Sequence, residues 1–202
     1  MTTAPTPEQA RSNKIKLLIL IFVPFTLMLM AWVMFYSGIG MPKGTGNKGV
    51  LINPPLQLNE VSVDAATKIV ETSNFKWFFL LPGTASCDKA CEERLYLTRQ
   101  IRTALGKYTH KIQRLYLVDS SLVLSNELQT LLKEEHEDLI VQRVSAEKLK
   151  QMLASQEQSS KSQASKDIYL ADFRGFIMMY YNESHTYKDI MKDIKFLLKY
   201  AP

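Results

Sequence analysis

Two hydrophobic patterns divide the chain. Residues 17–36 read LLILIFVPFTLMLMAWVMFY, an apolar run without a charge. A helix needs about 20 such residues to cross the hydrocarbon core of a bilayer. Pro24 is compatible with that reading, because spanning helices carry proline more often than soluble ones. Trp32 and Tyr36 lie toward the far end, where interfacial aromatic residues gather. From residue 50 onward the pattern changes to short apolar runs that alternate with amphipathic stretches.

Each run predicts an element. VLINPPLQLNEVSV (50–63) alternates around Pro54-Pro55 and predicts a short hairpin or an edge strand, since proline is excluded from central ladders. FKWFFLL (75–81) stops at Pro82-Gly83 and predicts a buried strand. In CDKACEERLYLTRQIRTALGKY, Leu95, Ile101 and Leu105 share a helical stripe, acids precede bases as the helix dipole favours, and Gly106 marks the end. KIQRLYLVD (111–119) predicts the next strand, followed by a helix near 125–135, a strand at 138–144 and a helix from Ser145 to about Leu153. ASQEQSSKSQASK (154–166) reads as an exposed polar loop. DIYLADFRGFIMMYY (167–181) predicts a hairpin turning at Asp172 and Gly175. Thr186 and Asp189 have capping-box spacing before a helix whose apolar face is Ile190, Ile194, Leu197 and Leu198. This alternation is α/β. A cysteine pair where the first central strand turns into its helix narrows it to one thioredoxin-like domain, a central mixed sheet with flanking helices.

Charge then sets the topology. A cleaved signal peptide would have an apolar core of only 7–15 residues and a small-residue cleavage site, and FYSGIGMP is a poor match to one. Arg11, Lys14 and Lys16 closely precede the span, while Lys43 and Lys48 follow at a greater distance. The positive-inside rule therefore places residues 1–16 in the cytoplasm, 17–36 in the bilayer, and a Gly-rich tether (37–49) and a domain (50–202) on the other side, the periplasm of a bacterium. The expected location is a single-pass protein of the bacterial inner membrane. The net charge of +5 is modest and interspersed, without the basic stripe and interleaved aromatics of a nucleic-acid binder. No Ser/His/Asp grouping, phosphate loop or zinc-ligand spacing stands out in the sequence.

The chemistry concentrates on TASCDKACEER (84–94), which holds both cysteines, Cys87 and Cys91. In an oxidising compartment they can form a disulfide. At i, i+4 they are expected to face one side of a helix's first turn, where the dipole and unpaired N–H groups favour thiolate. Thiolate is the nucleophile of disulfide exchange and also a soft ligand for Cu(I). Three histidines could add a ligand. His110 and His136 precede strands parallel to the cysteine strand and so belong to the opposite end of the sheet. His185 follows the second hairpin strand and lies at the cysteine end, one strand away, as a candidate third ligand or an ordinary solvated loop histidine. Of Met178 and Met179, adjacent in a strand, one is expected in the core.

The anchor, SCDKAC after an apolar strand, IYLADFRGFIMMYY and the final KDIKFLLK together resemble the Sco/SenC family, and more closely the small Sco-like membrane proteins encoded beside cytochrome oxidase genes in proteobacteria. The resemblance covers about residues 50–200. It implies a thioredoxin-like fold, a role in cytochrome c oxidase assembly with an oxidase subunit as partner, and copper on the CxxxC thiolates, here Cys87 and Cys91. In that family a distal histidine stands shortly before the hairpin; this chain has SQASKDIYL there. The family's usual proline between the cysteines is replaced by DKA, and ASKDIYL lacks the proline that thioredoxin-type reductases place opposite their cysteines. Three functions stay open: a non-enzymatic assembly factor handling Cu(I) or exchanging thiols, a periplasmic thiol-disulfide oxidoreductase, and a scaffold with an inert disulfide.

Overall fold

The computed structural model describes residues 7–38, 46–58, 76–157 and 164–200. The chain divides into two compact units, Met1–Gly46 and Asn47–Pro202. The first contains helix α1, Pro7–Ser37, whose 31 residues rise about 46 Å at 1.5 Å each. Its Arg11–Ser37 stretch is long and apolar enough to cross a membrane. Pro24 lies inside the helix, and the Thr26 hydroxyl donates to the Val23 carbonyl, an internal bond of the kind a polar group in lipid requires. The helix is longer than the apolar run because Arg11, Lys14 and Lys16 continue its first turns.

The second unit is built on a six-stranded sheet among the described residues, in the order β1-β6-β5-β2-β3-β4. The strands are β1 (Val50–Gln57), β2 (Trp77–Pro82), β3 (Ile112–Asp119), β4 (Leu139–Val144), β5 (Ile168–Ala171) and β6 (Phe176–Tyr181). β2, β3 and β4 are parallel, joined through helices α2 (Lys89–Ala104) and α3 (Asn126–Glu135). β5 and β6 form the antiparallel hairpin, and β1 closes the edge antiparallel to β6. Helix α4 (Ala146–Glu157) precedes the hairpin and α5 (Tyr187–Tyr200) follows it. This is the thioredoxin-like α/β architecture that the pattern predicted. The edge position of β1 matches its two prolines, where the register shifts between Leu51 and Leu56. The remainder of 50–63 beyond Leu58, and residues 158–163 of the stretch 154–166 expected to be a polar loop, lie outside the described residues.

The unbroken apolar run in β2 has a simple cause: the sheet is covered on both faces, so both sets of alternating side chains are buried. Phe79 and Leu81 pack with Leu95 and Ile101 of α2, Leu128 of α3, and Ile190 and Ile194 of α5. Phe78 and Leu80 pack on the other face with Leu149 and Met152 of α4, and with Ile177. Met179 is buried and Met178 half-buried, as their strand position requires. At the hairpin turn Gly175 has φ 86°, and the buried Asp172 carboxylate accepts the Arg174 and Phe176 N–H groups. The predicted cap of α5 forms reciprocally: Asp189 accepts the Thr186 N–H, and Thr186 accepts the Asp189 N–H.

Three boundaries differ from the sequence reading. Helix α1 runs on to Ser37, α4 continues to Glu157 and a short turn forms at Ala164–Lys166 within the stretch read as loop, and the second unit begins before residue 50. Lys48 and Gly49 donate their backbone N–H groups to the buried carboxylate of Asp193 on α5, at 2.8 Å for each to Oδ2. Asp193 also accepts from the Tyr181 hydroxyl at 3.3 Å. A carboxylate on the apolar face of α5 thus fixes the point where the chain joins the domain, a tie between residues distant in sequence.

Candidate functional site

The C-terminal end of β2 runs into Pro82-Gly83-Thr84 and then into the cysteine loop. Glycine is required at 83, because a Cβ there would overlap the Tyr116 ring. That ring cannot yield: its hydroxyl donates to the Thr84 carbonyl and accepts the Thr84 N–H, both at 3.1 Å. Burial raises the Tyr116 pKa, so the phenol stays a neutral hydroxyl. It reaches 3.9 Å from Cys91 Sγ. The strand-to-loop turn is thereby pinned to β3, and the cysteine pair with it.

Cys87 and Cys91 are joined as a disulfide with a Cα–Cα distance of 5.3 Å. They do not share the first helical turn as the i, i+4 spacing suggested. Asp88 is the N-cap of α2, so Cys87 precedes the helix and only Cys91 lies within it. The disulfide therefore bridges across the cap. Cys91 is buried in the core, while Cys87 is partly exposed. The cap also changes the electrostatics. Asp88 Oδ1 accepts the Cys91 N–H at 2.8 Å, occupying a donor that would otherwise stabilise a thiolate, and it sets a carboxylate between the two sulfurs in sequence.

The two sides of the disulfide differ in charge. Cys87 borders a cavity of about 470 Å³ lined by Glu92, Glu127, Glu134 and Glu135. Cys91 borders another, of about 360 Å³, whose lining includes Asp88, Tyr116, Arg94 and Lys166. Ser165 and Lys166 belong to the short turn just before β5, where the resemblance would place a histidine. Arg94 Nη1 donates to the carbonyls of Pro82 at 3.3 Å and Ser165 at 3.1 Å, tying that turn to the end of β2. Burial lowers its pKa, against the opposing pull of Tyr116 and Asp88.

His185 does not join the cysteines. It is half-buried and hydrogen-bonded rather than solvated: Nε2 meets the Lys48 carbonyl at 3.0 Å, and Nδ1 meets the Asn182 side chain at 2.8 Å. It lines a separate cavity of about 230 Å³, with Arg94 and Lys166 on the shared wall. His110 is exposed on the short helical turn before β3. His136 is buried before β4, its Nδ1 3.4 Å from Arg114 Nη2. Both stand at the end of the sheet remote from the cysteines, as their positions in sequence predicted. Among the described residues no group of three or more His, Cys, Asp or Glu side chains is arranged to hold a metal ion.

The transmembrane-like, thioredoxin-like, C-terminal domain family matches residues 77–201, from β2 to the end of α5. The chain belongs to that family. Among solved structures, yeast Sco1 with copper bound superimposes with a TM-score of 0.51 at 16% identity, covering 66% of this chain and 84% of the yeast one. Arabidopsis thaliana ScoI with copper bound gives 0.49 at 17% identity, covering 65% and 89%. A thiol:disulfide interchange protein from Bacteroides sp. gives 0.45 at 12%, covering 75% and 90%. At these identities the likeness to yeast Sco1 establishes a shared fold. Comparison with curated proteins gives no match. For a member of a transmembrane-like family, α1 has the expected character of a membrane anchor.

Sequence reading missed Tyr116, Arg94 and Lys166. Tyr116 sits in a strand and looks like core, and only the β2–β3 register brings its hydroxyl to Thr84 and Cys91. The Asp88 cap was legible, since an aspartate just ahead of an amphipathic run is a start signal.

Proposed function

We propose that this membrane-anchored protein is a Sco-like assembly factor for cytochrome c oxidase. In this reading the reduced Cys87–Cys91 pair takes Cu(I) as cargo, or exchanges thiols with an oxidase subunit, outside the cytoplasm. The observation that carries it is the position of the pair: one disulfide across the N-cap of α2, at the C-terminal end of the central strand, with Cys87 reachable. Yeast Sco1, which shares the fold, was crystallised with copper.

The donor set fits Cu(I) as cargo. Two thiolates suit a soft ion that accepts low coordination, whereas Cu(II) prefers nitrogen and oxygen ligands in tetragonal geometry. The bonded pair must first be opened: a dithiol reductant gives up two electrons and two protons to the disulfide and leaves as a disulfide itself. The glutamates around Cys87 favour approach of a cation from that side, by Coulomb attraction. His185, held by Asn182 and Lys48, is not counted as a ligand.

The test is competition of the reduced, detergent-solubilised full chain against a Cu(I) chelator. Wild type should hold about one Cu(I), by the two-thiolate argument. Cys87→Ser and Cys91→Ser should each lose most of it, and His185→Ala should change it little. If wild type and the double Cys→Ser variant compete equally, copper handling fails and the disulfide is a structural clasp across the cap. A tenfold loss in His185→Ala, about 1.4 kcal/mol, would restore the histidine to the ligand set.

A further inference from the structure

The outer face of α5 carries a row of cations. Lys188, Lys192, Lys195 and Lys199 recur at i, i+4, i+7 and i+11, which sets them on one stripe of the helix, and all four are exposed. Ile190, Ile194 and Leu198 hold the inner face in the core. The helix has two acids, and each is engaged elsewhere. Asp193 is buried and accepts the Lys48 and Gly49 N–H groups, while Asp189 caps the first turn through Thr186. Glu93 of α2 and Glu183 of the preceding turn line the cavity beside His185 and Ile190, at the first turn rather than along the stripe. None of the four lysines forms an ion pair among the described residues. Phe196 and Tyr200 flank the row, 63% and 67% exposed, with ring centroids 5.0 Å apart. The Lys199 ammonium lies 5.3 Å from the Tyr200 ring centroid. Lysines beside exposed aromatic rings suit a lipid interface, where the rings sit at headgroup depth and the ammonium groups meet phosphate.

The covalent chain keeps such an interface within reach. Through Asp193, α5 itself holds Lys48 and Gly49. Lys48 follows Ser37, the last residue of α1, by eleven residues, a length that spans no more than about 40 Å. We propose that the face of α5 formed by Lys188, Lys192, Lys195 and Lys199 binds the anionic headgroups of the membrane that anchors α1, with Phe196 and Tyr200 seated at its surface. Lipid is the occupant rather than an acidic protein, because a short link to a spanning helix holds the bilayer at high effective concentration. The inference rests on α1 as the anchor and is independent of copper, since it uses neither cysteine.

The experiment is lysine acetylation footprinting, read by mass spectrometry, on the full chain in lipid nanodiscs. One set contains phosphatidylcholine alone, the other phosphatidylcholine and phosphatidylglycerol in equal parts. Lys188, Lys192, Lys195 and Lys199 should acetylate about threefold or more slowly in the anionic discs, while the exposed Lys107 and Lys133 keep their rates. High salt should cancel the difference, because it screens exposed charges. Lys192→Glu combined with Lys195→Glu should release the face, so that Lys188 and Lys199 react alike in both discs. These positions are exposed, and the fold tolerates their replacement. Equal rates at the four lysines in the two lipids would overturn the proposal and leave the face to an acidic protein. So would slowing that Lys107 and Lys133 share, or slowing of Lys188 and Lys199 that persists in the double variant. Co-elution of the chain with the discs reads the anchor separately. Cu(I) competition by wild type and the double variant should be the same, which separates failure here from failure of the copper reading.

Discussion

At the scale of the residue, Asp88 decides how reactive the cysteines can be. A helix N-terminus lowers a thiol pKa through its dipole and free N–H groups. Here one of those N–H groups, that of Cys91, is already donated to Asp88. The carboxylate also adds a negative charge beside the thiols, and a nearby like charge disfavours the ionised form. Asp88→Asn keeps a good cap and removes the charge. The expected result is a lower thiol pKa in the single-cysteine variant that retains Cys87. The measurement is alkylation rate against pH, and an unchanged or raised pKa would show that Asp88 does not govern the thiols.

At the scale of the element, β3 carries an arginine in its core. Arg114 is fully buried, yet every branch is satisfied: Nε donates to Thr98 Oγ1 at 3.1 Å, Nη1 to Asp138 Oδ1 at 2.9 Å, and Nη2 to the Leu95 carbonyl at 2.7 Å. The network ties α2 to β3 and to the start of β4. Burial lowers the Arg114 pKa to about 10, and Asp138 opposes the fall, so it remains charged at neutral pH. An arginine can only donate, so His136 Nδ1 must accept from Nη2 and the imidazole is neutral. Burial first, then the Arg114 charge, lowers the His136 pKa from 6.5 to about 4. The unfolded chain therefore binds this proton near pH 6.5, and the folded one only near 4. The stability contributed by His136 is complete above 6.5 and is lost as pH falls toward 4. Chemical unfolding between those limits should show stability falling with pH, and His136→Gln should flatten that part of the slope. Equal slopes in the two proteins would remove His136 from the network's energetics.

At the scale of the whole molecule, the long apolar stretch of α1 has the length and composition of a membrane span. Arg11, Lys14 and Lys16 at one end predict that this end stays in the cytoplasm and that the domain faces the periplasm. An alkaline phosphatase fused after Pro202 should be active, and a cytoplasm-dependent reporter at the same site should be dark. The protein should fractionate with membranes; its release into the soluble periplasm would mean that the anchor is cleaved. Moving Arg11, Lys14 and Lys16 to follow Tyr36 should invert the outcome, because the charge bias sets orientation.

The sequence alone determined the elements and their order, because each rests on short-range physics: apolar periodicity, proline and glycine stops, and caps such as Thr186 with Asp189. It also determined which strands are buried, since β2 is apolar at every position and β1 carries its prolines at an edge. The cysteines were legible as the centre of the chemistry. What surrounds them was not. Arg94, Tyr116 and Lys166 line one cavity with Cys91 from α2, β3 and the turn before β5, and only the packing of those elements brings them together. The same holds for Arg114 in β3 and Asp193 in α5, polar residues on apolar faces whose partners lie far away in sequence. A pattern read along the chain registers whether a position is polar. The partner that makes a buried polar group tolerable, or its absence, is fixed only when distant segments meet, and the charge on each side of the disulfide was decided there.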